Sequence, residues 1–172
     1  LGDVNGDGID DWAVSYANAD SRGLSDNGKI YVVYGRTDGV TTNLSQVANG
    51  QGGYLITGTD NSGLAGSSIS AGDVNGDGLR DIAIHVPGAN AGMGLGYVVF
   101  GRTNASNIDL TFGRGGFAGG RFYSINTSDS FAFVGDVNGD GYDDVAHGRG
   151  DLNRTTVVEN ISVRKVTAVR DG

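Results

Sequence analysis

Three stretches of the chain set oxygen-bearing side chains at alternate positions of a short, glycine-rich loop: residues 3–11 (DVNGDGIDD), 73–81 (DVNGDGLRD) and 136–144 (DVNGDGYDD). Carboxylates or amides stand at loop positions 1, 3, 5 and 9, and glycines stand at positions 4 and 6. Such a set suits a hard cation. Calcium takes about six to eight oxygen ligands, and a tightly curled loop can aim alternate side chains at one centre while position 7 offers its carbonyl. The glycines allow the curl by adopting backbone angles that other residues resist. The expected metal ligands are therefore Asp3, Asn5, Asp7, the Ile9 carbonyl and Asp11; Asp73, Asn75, Asp77, the Leu79 carbonyl and Asp81; and Asp136, Asn138, Asp140, the Tyr142 carbonyl and Asp144.

A helix-flanked calcium loop of the EF-hand or dockerin kind begins the same way but needs an acidic residue at position 12. Here that position holds Val14, Ile84 and His147. With a strand pattern following, each loop reads instead as a hairpin turn closed by its ninth-position aspartate. Charge points the same way. Eleven of the 20 acidic residues lie in the three loops, where they crowd together at Coulombic cost. About three Ca2+ would bring the formal charge from −8 to −2. The chain thus reads as calcium-stabilised and suited to a calcium-rich, extracellular or cell-surface setting.

These loops are the most regular part of a longer repeat, which must position them. Their first aspartates are separated by 70 and then 63 residues, and the runs YVVYGRT (31–37) and YVVFGRT (97–103) lie 66 residues apart. Ile30 to Tyr34 and Tyr97 to Phe100 are short, continuously apolar and followed by glycine, as in strands buried on both faces. Further strands are expected at Asp11 to Ala17, Tyr54 to Thr57, Ser67 to Ala71, Asp81 to Val86, Arg121 to Ile125, Phe131 to Gly135 and Asp143 to His147. No segment of helical length carries a 3.6-residue period. The expected class is all-β, with a four-stranded antiparallel sheet as the unit, and such sheets set radially are the blades of a β-propeller. A propeller needs at least about four blades, whereas two and a half to three units are counted here. The whole of 1–172 therefore reads as a partial propeller, a fragment or a subunit completed by further blades. The opening Leu1-Gly2-Asp3 reads as a cut inside something longer, and 150–172 as a degenerate terminal blade or the start of the next segment.

Composition excludes several functions. With 12 Lys and Arg against 20 Asp and Glu, the chain is not a nucleic-acid binder. It has no cysteine, hence no disulfide, thiolate metal site or cysteine nucleophile. No apolar stretch reaches the ~18 residues that span a bilayer. Glycine accounts for 32 of 172 residues and proline for one, which fits short strands and tight turns and excludes collagen. The two histidines, His85 and His147, fall at loop offsets 12 and 11, so they are not a repeated feature, and no nucleophile elbow or phosphate loop is present. No catalytic residues are expected. Arg149-Gly150-Asp151 spells a tripeptide that integrins bind but directly follows an expected strand, and reads as coincidence in a chain rich in glycine and aspartate. Asn-x-Ser/Thr sites at Asn43, Asn104, Asn126, Asn153 and Asn160 matter only in a glycosylating pathway. Five basic residues (Arg149, Arg154, Arg164, Lys165, Arg170) gather at the C-terminal end.

Together, Leu55-Ile56-Thr57-Gly58, the approach Gly63 to Ser70, the loop itself, Asp81-Ile82-Ala83-Ile84, Pro87-Gly88 and Gly96 to Gly101 resemble an FG-GAP repeat, the unit of the integrin α-subunit propeller and of many large bacterial extracellular proteins. The resemblance covers roughly residues 1 to 150. It implies a seven-bladed propeller, calcium in hairpin loops on one face, and a role in adhesion or ligand recognition. The family's Gly-Ala-Pro signature is replaced here by Ser15-Tyr16-Ala17, His85-Val86-Pro87-Gly88 and His147-Gly148-Arg149. The expected function is a non-enzymatic adhesion or surface-recognition module that meets a protein or carbohydrate ligand. Alternatives are a structural subunit or spacer of a calcium-dependent surface layer or filament, and a fragment of a propeller polysaccharide lyase. A binder should expose aromatic residues on one rim, with Tyr16, Tyr34 and Trp12 as candidates, although Trp12 beside Asp11 reads more readily as core.

Overall fold

The computed structural model describes residues 1–92, 94–110, 121–123, 131–149 and 157–161. Among these the strands are β1 (Trp12–Tyr16), β2 (Lys29–Val33), β3 (Gly53–Gly58), β4 (Ser68–Gly72), β5 (Asp81–Val86), β6 (Leu95–Val99), β7 (Ile108–Leu110), β8 (Arg121–Tyr123), β9 (Phe131–Gly135), β10 (Asp144–Arg149) and β11 (Val157–Ile161). They form three sheets, ordered β1-β2-β3-β7, β4-β5-β6-β8 and β9-β10-β11. Helix among the described residues is limited to a single turn at Leu44–Val47; Ala89–Gly92 is a tight turn in which Asn90 and Ala91 have left-handed φ of 54° and 58°. Among the described residues the chain is all-β, and every expected strand has a counterpart with ends within a residue or two, except that residues 124 and 125 of the strand expected at Arg121 to Ile125 lie outside the described residues.

Register carries the repeat from sequence into structure. In the first sheet Trp12 pairs with Val33 and Val14 with Tyr31; in the second Ile82 pairs with Val99 and Ile84 with Tyr97, the same residues one repeat later. One expectation needs correcting. The first sheet is not wholly antiparallel, because its fourth strand, β7, runs parallel to β3 and comes from the second repeat. β7 caps what would otherwise be an open edge of β3, and its approach is fastened by Asn107, which accepts the Leu55 N–H at 2.8 Å and donates to the Ala48 carbonyl. Isolated Gly2–Asp11 pairing is all that the first sheet has in place of β4.

Alternation along β5 and β6 explains how the sheets pack. Successive side chains point to opposite faces. Ile82, Ile84, Val86, Leu95, Tyr97 and Val99 form one core with Ile30, Val32, Tyr54 and Ile56 of the first sheet. Ala83 and Val98 point the other way and pack with Phe131 and Val145 of the third. There the Phe131 ring lies so close to Gly96 that a Cβ would stand 2.6 Å from it. The middle sheet is thus covered on both faces, and β5 and β6 are buried throughout. Among the described residues β1 has only one covered face. Trp12, Val14 and Tyr16 are 46%, 39% and 64% exposed, whereas their counterparts Ile82, Ile84 and Val86 are 0%, 0% and 1% exposed beneath the first sheet. Trp12 is therefore not a core residue: it lies on the face of β1 that no other sheet of the described residues covers.

Segment 150–172 lies outside the described residues except for β11, which pairs with β10. Gly150 and Asp151 of the tripeptide, Asn126, Asn153 and the basic residues Arg154, Arg164, Lys165 and Arg170 likewise lie outside them.

Candidate metal centre

Each acidic loop leads into a strand: Asp3–Asp11 into β1 after the isolated Gly2–Asp11 pair, Asp73–Asp81 from β4 into β5, and Asp136–Asp144 from β9 into β10. The curl is made as the sequence implies. Loop positions 4 and 6 have φ of 82° and 82° (Gly6, Gly8), 73° and 84° (Gly76, Gly78), and 76° and 90° (Gly139, Gly141). These are left-handed values that favour glycine.

The side chains then fasten the curl in one repeated scheme. Asp3 accepts the N–H groups of Gly6 at 2.6 Å and Gly8 at 2.8 Å. Asp73 does the same with Gly76 and Gly78 at 2.7 and 2.9 Å, and Asp136 with Gly139 and Gly141 at 2.7 and 2.8 Å. The third-position asparagines accept the N–H of Asp7, Asp77 and Asp140, and those aspartates accept the N–H of Ile9, Leu79 and Tyr142. Carbonyl oxygens of Ile9, Leu79 and Tyr142 accept none of the turn and loop backbone bonds among the described residues.

Position 9 is different because it is buried. Asp11, Asp81 and Asp144 are 3%, 0% and 2% exposed, and each accepts the N–H of its loop's second residue: Val4 at 2.8 Å, Val74 at 3.0 Å and Val137 at 3.0 Å. The other oxygens of Asp11 and Asp81 reach across to Gly35 at 2.7 Å and Gly101 at 2.8 Å, just after β2 and β6. These glycines were not among the expected site residues. Their signal was the repeated Gly-Arg-Thr after each YVV run, which sequence reasoning assigned only to strand termination.

The electrostatics follow from these contacts. Backbone donors, Gly8 above all, hold the Asp3 carboxyl below its usual value, and Gly141 leads the same effect on Asp136. Burial dominates at position 9: it pushes Asp11 up and Asp81 up to about 6, and the charges of Asp7 and Asp3, or of Asp77 and Asp73, push the same way. An ionised Asp81 therefore sits in a negative field that its two hydrogen bonds do not offset, which is the setting a divalent cation relieves. Among the described residues no three acidic or histidine side chains are grouped as a metal cage, since the loop oxygens are turned to backbone N–H groups. The donor set is nevertheless all oxygen, and a carboxylate has about four acceptor positions, so the residues fit a hard cation.

Among the described residues no repeated cluster of another kind competes with the loops. His85 is buried next to the Ser67 hydroxyl, 3.4 Å from its Nδ1. Of the aromatic candidates, Tyr16 and Trp12 stand on the open face of β1, whereas Tyr34 is packed edge-on to Tyr54, over whose ring Arg102 lies at 4.3 Å. No helix among the described residues is long and apolar enough to cross a membrane.

Fold and loops together define an all-β repeat protein with one acidic loop per repeat. Residues 65–107, from the approach to β4 through the loop to the residue before β7, match the FG-GAP repeat, so the chain carries at least that one FG-GAP repeat. It is also similar to phosphatidylinositol-glycan-specific phospholipase D from Rattus norvegicus, with 31% identity over 106 residues. That match takes in 58% of this chain and 12% of the phospholipase.

Proposed function

We propose that the chain is a calcium-binding FG-GAP propeller segment of an extracellular or cell-surface protein, acting in adhesion or surface recognition and not as an enzyme. Asp3, Asn5, Asp7 and Asp11 hold one ion with the Ile9 carbonyl, and the corresponding residues of the other loops hold two more. Calcium supplies the positive charge that binds three carboxylates and an amide into one rigid turn. The loops then serve as fixed corners of the sheets, and neighbouring surfaces are presented to a protein or carbohydrate ligand.

One observation carries this reading: the same loop, with the same glycine angles and the same hydrogen-bond scheme, occurs three times, each time leading into a strand at the equivalent place of its repeat. A turn needed only to reverse the chain would not require eleven acidic residues of the 20 present. The similarity to the phospholipase supports a shared module; it spans 12% of that enzyme, so the reading takes over the repeat and not the reaction.

Further blades are the first partners in this account. The positions of Trp12, Val14 and Tyr16 are filled one repeat later by side chains buried against the preceding sheet, and Val137, 58% exposed, corresponds to Val4 and Val74 at 0% and 3%. Both end sheets thus expose surface that the middle sheet buries, as blades within a larger propeller of seven would. Isothermal titration of the chain with calcium tests the reading. Uptake of about three ions per chain is expected, and a flat titration would overturn it.

A further inference from the structure

We infer that the three loops take up cations as a coupled row and not as independent sites, an inference that rests on the calcium reading above. The loops are tied to one another by backbone. The N–H of Arg80, eighth in its loop, donates to the carbonyl of Asp3, first in the preceding loop, at 2.9 Å; the N–H of Asp143 donates to the carbonyl of Asp73 at 2.8 Å in the same relation. Arg102 adds a third tie, from its N–H to the Val4 carbonyl at 2.8 Å.

Two of these ties flank the buried Asp81. Arg80 precedes it in the chain, and Arg102 follows Gly101, whose N–H the Asp81 carboxylate accepts. Whatever fixes Asp81 therefore fixes both N–H groups that grip the first loop. Seventh-position side chains complete the fit: Leu79 lies against Gly6 and Tyr142 against Gly76, where a Cβ would stand 3.1 and 2.6 Å from them.

Between the second and third loops a side chain joins in. One oxygen of Asp143 accepts both the Asp73 N–H at 2.8 Å and the Arg80 guanidinium at 2.8 Å. Asp73 thus offers its side chain to its own loop while its N–H and carbonyl are held by the next. A cation that orders one loop orders backbone atoms that its neighbour shares, and the neighbour binds with less left to order, which is positive coupling.

Asp143 is outside the proposed ligand set, so it can be changed without removing a ligand. Calcium titration calorimetry of the full chain is compared for the wild type, Asp143→Ala and Asp143→Asn, with folding checked by circular dichroism. The wild type should bind about three ions along a cooperative isotherm. Asp143→Ala should still bind about three, with the cooperativity reduced and the half-saturating calcium raised about fivefold. Asp143→Asn should restore most of the loss, because its amide oxygen still accepts the Asp73 N–H, and this separates the loop tie from the change in charge. As a second variant, Asp7→Asn should remove or weaken the first-loop ion and also weaken the remaining two. Unchanged affinity at the remaining sites in Asp7→Asn, or an unchanged isotherm in Asp143→Ala, would overturn the coupling and leave the calcium reading standing. A wild type that takes up no calcium would overturn both.

Discussion

Asp81 and Gly101 are joined by a 2.8 Å hydrogen bond that links the end of an acidic loop to the end of a strand twenty residues on. Asp11 and Gly35 make the same bond in the first repeat. The ninth-position aspartate is therefore both a loop residue and a clamp between neighbouring strands. It is the point at which any cation held by the loop would act on the sheet.

Without calcium that clamp is a liability at neutral pH. The folded-state value of Asp81 is raised to about 6 from 3.8, so the stability it contributes is fully present below about pH 4 and is lost as pH rises through about 6. Asp11 is shifted in the same direction. In chelator, the melting temperature should rise as pH is lowered from 7 to 5, by an amount on the order of 2 kcal/mol in stability, and Asp81→Asn should flatten the trend. Below about pH 4 the trend should reverse, because Asp3 and Asp136 have lowered values and lose their contribution as they protonate. A melting temperature that falls steadily from pH 7 to 5 would contradict the burial argument.

Asp77 accepts the Leu79 N–H inside the second loop, whereas Asp60 is not in any loop of this kind. At calcium about a hundredfold above the dissociation constant, one bound ion adds about 2.7 kcal/mol to the folded state. Asp77→Ala should forfeit most of that and lower the melting temperature in calcium by roughly 5–10 °C, with Asp60→Ala close to wild type. Equal effects in parallel thermal melts would mean that the loop is an ordinary turn.

Trp12 is the chain's single tryptophan and is nearly half exposed. Its fluorescence in the isolated chain should be red-shifted and readily quenched by acrylamide. If a further blade docks on β1, as Ile82, Ile84 and Val86 dock beneath the first sheet, emission should move to the blue and quenching should fall. Emission that is blue and protected in a monomer shown by sedimentation would contradict the open face.

Much of this was legible in the letters. Continuous apolar runs such as Ile30 to Tyr34 announce strands covered on both faces, and the thrice-repeated loop announces hairpins with a common job. What the letters concealed is non-local. β7 is only Ile108–Leu110, and its parallel pairing to β3 depends on Asn107 meeting Leu55, a contact between residues 52 apart that leaves no periodic trace. Trp12 misled for a related reason: its type favours burial, but burial at that position is provided by a neighbouring sheet and not by its own repeat. The glycines that meet Asp11 and Asp81 were visible as a repeated Gly-Arg-Thr, yet a glycine after a strand reads as a stop before it reads as a hydrogen-bond donor.

A thermal melt of the chain in calcium and again in excess EDTA, at pH 7, tests the central claim most directly. If the three loops hold calcium in the folded state alone, its removal should lower the transition by more than about 10 °C, and returning calcium should restore it. A transition at the same temperature in both conditions would contradict the calcium assignment and leave the loops as acidic turns.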